Sequence, residues 1–100
     1  MALQITETRG MFSVHGELNS SNANILNRHM SRFISPNNHI ILNLERVTNM
    51  DKCAAYALRK LYLKTMQSNS ILSIIGLQNQ NILSVMDETK TTYILSDDRI

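Results

Sequence analysis

The chain has a single cysteine, so it closes no disulfide on itself, and one thiol falls far short of a structural zinc site. Its three glycines, Gly10, Gly16 and Gly76, stand too far apart for a GxGxxG or Walker loop, which excludes the familiar phosphate-cradling enzymes. Tryptophan is absent, and three tyrosines with two phenylalanines make no basic–aromatic platform for single-stranded nucleic acid. No apolar run approaches the roughly 20 residues that cross a bilayer. The opening Met1-Ala2-Leu3-Gln4-Ile5-Thr6-Glu7 has neither the basic flank nor the apolar stretch of a secretion leader. A formal net charge of +2 is too small for charge alone to imply nucleic acid. The expectations are a cytoplasmic domain with no nucleic acid, membrane, metal or cofactor as partner.

What is present reads as one globular domain over residues 1–100. Apolar residues make up 43% and charged residues 18%, and a chain of this length buries roughly 60–70% of its open surface. Leu3 and Ile5, then Phe12 and Val14, alternate with polar residues on either side of Arg9-Gly10, which predicts a β-hairpin whose second strand ends at Gly16-Glu17-Leu18. The polar run Asn19-Ser20-Ser21-Asn22 supplies N-caps for a helix over about 21–34, with Ala23, Leu26, Met30, Phe33 and Ile34 on one stripe. His39 to Leu44 is a nearly continuous apolar run, the pattern of a central strand covered on both faces. Asp51 caps a second helix, 52–67, with Ala54, Ala57, Leu58, Leu61, Tyr62 and Met66 inward. A strand over 71–76, a short helix over 79–87, a last strand over 92–95 and a polar end follow. The order β-β-α-β-α-β-α-β implies right-handed parallel crossovers and a mixed α/β sheet of four to five strands with helices packed on it.

Three stretches resemble the STAS domains, the family of anti-sigma factor antagonists. Gly16-Glu17-Leu18-Asn19-Ser20-Ser21-Asn22-Ala23 is similar to that family's G-E-L-D-x-x-x-A signature. Ile41 to Asp51 resembles its strand, D-L and V-x-x-(I/M)-D stretch, and Leu77 to Ile82 stands where the family turns into its third helix. The resemblance covers about residues 3–96. It implies a non-enzymatic, monomeric bacterial protein that regulates transcription by partner switching. The partner would be an anti-sigma factor that is also a serine kinase, or another STAS protein. In the family a serine follows the Asp and takes the phosphate that breaks the complex. Here Lys52 stands at that phosphoacceptor position, and Asn19 replaces the usual acid. An amine is no substrate for a serine kinase, so the implied domain lacks the usual phosphoswitch.

The expected contact surface comprises Asn19, Ser20, Ser21, Asn22, Thr48, Asn49, Met50, Asp51 and Lys52. It continues along the outward face of the second helix through Tyr56, Arg59, Lys60 and Leu63, ending near Lys64, at three- and four-residue spacings. Capping is the plain reading of Asp51, and a solvated basic face that of the helix. An aromatic beside arginine is, however, the composition of interface centres. Cys53 reads as a small buried residue, with a redox thiol beside Lys52 as the alternative. His15, His29 and His39 fall on separate elements, which argues against a metal or catalytic role. Met11, Met30, Met50, Met66 and Met86 read as core and edge filler. Two further functions fit the same fold: a self-assembling STAS scaffold and, more weakly, a small-molecule or nucleotide sensor.

Overall fold

The computed structural model describes residues 3–96. Residues 97–100, expected as the polar end, lie outside the described residues. Strand β1 (Gln4–Thr8) turns through Arg9-Gly10 into β2 (Met11–Leu18), and the two pair antiparallel. Both turn residues have positive φ, 52° and 82°, the geometry that suits the twist of a tight hairpin and that glycine adopts at no steric cost. Helix α1 (Ala23–Ser31) leads to β3 (His39–Met50), helix α2 (Lys52–Gln67) to β4 (Ile71–Ile75), and helix α3 (Gln80–Glu88) follows. The sheet order is β1-β2-β3-β4, with β2, β3 and β4 parallel.

Each step from β2 to β3 to β4 moves the same way across the sheet. Right-handed crossovers then place their helices on the same face. Phe12, Val14, Leu42, Leu44 and Ile74 on that face join Leu26, Met30, Leu58, Leu61, Ile82 and Met86 from the helices in a single buried cluster. The opposite face of β2 and β3 carries Ser13, His15, Ile41 and Asn43, all only half-buried. The apolar run at His39–Leu44 is therefore covered on one face and not on both, contrary to the pattern reading. Ile41 is apolar without having a helix above it.

Three boundaries differ from the sequence expectation, each for a local reason. Helix α1 is shorter at both ends. Ser20 to Asn22 are engaged in the preceding turn, and Phe33 N–H and Ile34 N–H bond three residues back, tightening the exit before Pro36. Phe33 leaves the buried stripe, though its ring still rests 4.8 Å from that of Phe12. On α2, Met66 points outward, 57% exposed, while Ala55 and Thr65 are buried in its stead. The expected strand at 92–95 is a 3₁₀ turn, Thr92–Ile94, followed by one parallel bridge from Leu95 to Ile74. The sheet thus has four strands.

Strand β3 is the largest departure, running to Met50 rather than stopping near Leu44. From Ser13↔Asn43 to His15↔Arg46 the chain advances two residues on β2 and three on β3. From Gly16↔Val47 to Glu17↔Asn49 it advances one against two. Each irregularity gives β3 one extra residue, as a β-bulge does, and breaks the two-residue alternation that a sequence reading follows. The bulged end brings the corner after β3 level with the corner after β2.

Candidate functional site

One residue, Asp51, turns the chain from β3 into α2. Its backbone is extended, and its Oδ1 accepts a bond from the Ala54 N–H at 2.9 Å, capping α2 as the sequence predicts. The second carboxylate oxygen, Oδ2, accepts from the Ser20 N–H at 2.9 Å, and the Asp51 N–H donates to the Leu18 carbonyl at 3.2 Å. A single carboxylate therefore joins two corners that are 31 residues apart in sequence. They are neighbours because parallel strands deliver their C-terminal ends to the same edge, where open α/β sheets place their sites.

The corner after β2 is held by its own amides. Asn22 Oδ1 accepts from the Asn19 N–H, Asn19 Oδ1 from the Ser21 N–H, and Asn22 Nδ2 donates to the Glu17 carbonyl, each at 2.9 Å. The short polar run is thus consumed in fixing a turn, and Asn22 caps that turn rather than the helix. Such a loop has little freedom left to lose on binding.

A third corner, after β4, is tied to the same edge by a residue whose role was not visible in the sequence. Asn79, only 6% exposed, donates through Nδ2 to the carbonyls of Leu44 and Val47 at 2.8 and 2.9 Å, while its Oδ1 accepts from the Asn81 N–H. Those carbonyls lie on the irregular stretch of β3, where ladder bonds are lost, so a side chain satisfies them instead. The sequence signal was an asparagine at a helix start; its long-range partners had no signal. Glu45 Oε2 adds an acceptor for the Gln78 N–H at 3.3 Å.

On this braced edge Lys52 is free to act outward: its side chain is 66% exposed. Its Nζ lies 4.0 Å from Glu88 Oε2, an exposed pair that contributes little stability. One turn on, Tyr56 is 45% exposed, with the Arg59 guanidinium carbon 5.0 Å from its ring centroid. Lys60, Leu63 and Lys64 are exposed further along the same helix. Thr48 and Asn49 are exposed at the end of β3, but Met50 is only 3% exposed. That placement corrects the expectation for Met50: paired with Leu18 on the inner face, it belongs to the core and offers nothing to a partner. Cys53 is exposed in the first turn of α2, not buried.

The structure thus gathers Asn19 to Asn22, Asp51 and Lys52 on one rim and strings Tyr56, Arg59, Lys60 and Leu63 down α2 from it. The rim offers a cation, amide and hydroxyl groups and an aromatic on a stiff frame. The described residues contain no group of three or more His, Cys, Asp or Glu able to hold a metal ion. His39 Nε2 meets Ser73 Oγ at 2.9 Å, but on the open face of the sheet, away from this edge. No described helix is long and apolar enough to cross a membrane.

Comparison with known proteins adds a family. A model described as the STAS domain matches residues 1–90. Among solved structures, the anti-sigma factor antagonist SpoIIAA in its unphosphorylated form aligns with a TM-score of 0.62 and 19% identity, over 98% of this chain and 89% of that one. The STAS domain of a SulP transporter from Vibrio cholerae aligns with a TM-score of 0.57 and 17% identity, over 92% of this chain and 73% of that one. A structure of Mglu in its native form gives 0.60 at 8% identity; it covers 74% of this chain, which spans only 26% of that protein. At such identities the likeness is one of fold. No curated protein sequence matches the chain.

Proposed function

The chain belongs to the STAS domain family, and from that premise we propose that it is a non-enzymatic regulatory domain that binds another protein through the Asp51–Lys52 rim and the outward face of α2. The partner is an anti-sigma factor with serine kinase activity, or a further STAS protein, within a cytoplasmic bacterial assembly that controls transcription. The observation that supports the reading is the pair of hydrogen bonds accepted by Asp51, which ties two corners of the sheet together and leaves Lys52 exposed beside them.

The sign of the charge at residue 52 then defines the switch. A hydroxyl in the first turn of a helix can take a phosphate, adding about −1.5 to −2 charge where the helix N-terminus tolerates it and an opposing acidic or apolar surface does not. Lys52 offers a fixed cation with three donors in that place. The domain therefore binds without a phosphate-driven release. Changing Lys52 to Ser leaves the fold unaltered and weakens the partner complex, read by titration calorimetry; unchanged affinity would refute the contact. Light scattering over a concentration series should report a monomer, and a concentration-dependent mass would favour a self-assembling scaffold instead.

A further inference from the structure

Charge is segregated along this chain. No Asp or Glu occurs between Glu17 and Glu45, and none between Asp51 and Asp87. Helices α1 and α2 accordingly carry cations alone: Arg28, Lys52, Arg59, Lys60 and Lys64 are five of the ten Lys and Arg. Where the two helices pack, they leave a groove of about 420 Å³. Arg28 and Ser31 form one wall, Lys60 and Lys64 the other, and Asn27 and Leu61 the floor. The acceptors that brace the groove are neutral: Lys64 Nζ donates to Ser31 Oγ at 3.2 Å, and Asn27 Nδ2 to the Ala57 carbonyl at 3.0 Å. Three cations thus line one recess, and among the described residues that line it there is no carboxylate to balance the charge.

We infer that this groove docks an acidic segment of a partner protein, its carboxylates directed at Arg28, Lys60 and Lys64. The inference rests on the reading of the chain as a protein-binding domain; it shares Lys60 with the outward face of α2 but is centred where α1 packs on α2 and not on Lys52. Complementary charge speeds encounter and fixes orientation. The recess selects a polypeptide over a bilayer, because a flat anionic surface meets only protruding side chains and Leu61 is just 2% exposed.

The test is titration of a fluorescent oligoglutamate peptide with the full chain at low salt, read by anisotropy. The double change Lys60→Gln with Lys64→Gln should weaken binding about tenfold. Removing equal charge elsewhere, by Arg46→Gln with Lys90→Gln, should alter it less than about twofold. Absence of binding, equal weakening by both double changes, or a preference for phosphatidylserine vesicles lost on the same groove change would each overturn the inference. Titrating the regulatory partner against the same variants separates the two readings. Groove variants that hold oligoglutamate normally defeat the groove alone, whereas Lys52→Ser that holds the partner normally defeats the rim alone.

Discussion

Asp51 and Asn79 act at a distance that their sequence neighbours do not reveal. Each is a helix cap by position, and each spends its remaining polar atoms on another corner of the sheet. Asp51→Ala loses the α2 cap and the tie to Ser20 together. It should lower unfolding free energy by about 1–2 kcal/mol, the upper range for a lost cap, in urea denaturation. Asn79→Ala strands two carbonyls where water has little access, and about 2–3 kcal/mol is expected in the same measurement. Lys52→Ser should stay within about 0.5 kcal/mol, since an exposed side chain with one weak ion pair is removed. That contrast separates residues that build the rim from the residue proposed to face the partner. The capping role of Asp51 was legible because an acid precedes a helical stripe; its bond to Ser20 was not, because sequence carries no measure of which corners meet.

Strand β3 shows how an element can be found and still be mismeasured. Its apolar first half announces it, and the hairpin, α2 and β4 are equally plain from period two, period 3.6 and bounding turns. Its second half, Glu45 to Met50, mixes charged, polar and apolar residues without alternation because two extra residues are absorbed there. This is also why Met50, placed by its motif on the contact surface and by composition among the core and edge fillers, lies in the core. Gly16 sits between the irregularities, buried, with φ at 95°. Gly16→Ala forces a side chain into a conformation that L-residues rarely adopt. It should cost about 1–3 kcal/mol in a denaturant titration. A wild-type midpoint in that variant would mean that the bulged end of β3 relaxes freely and does not set the height of the rim. The last strand failed as an element for another reason: Thr92–Leu95 has strand-like composition, but only Leu95 reaches the sheet.

At the scale of the molecule, the fold class and the order of elements were readable, and the one-sided covering of the sheet was not. Composition cannot say whether successive crossovers step the same way, and here they do, leaving a half-buried face opposite the helices. The separation of charge was in the sequence from the start, yet it acquires meaning only when α1 and α2 pack side by side. Partner binding should accordingly weaken as salt rises from about 0.05 to 0.5 M, because exposed cations are screened over roughly 10 Å near 0.1 M; an affinity indifferent to salt would assign the contact to Tyr56 and Leu63 rather than to the cations. The whole account turns on a binding rim whose charge is fixed. Its most direct test is to form the complex with the cognate anti-sigma kinase, add ATP, and follow both the complex and the mass of the chain. The account predicts a complex that persists and a residue 52 that gains no phosphate. ATP-driven release of the partner, with phosphate attached anywhere on the rim from Asn19 to Lys52, would contradict it.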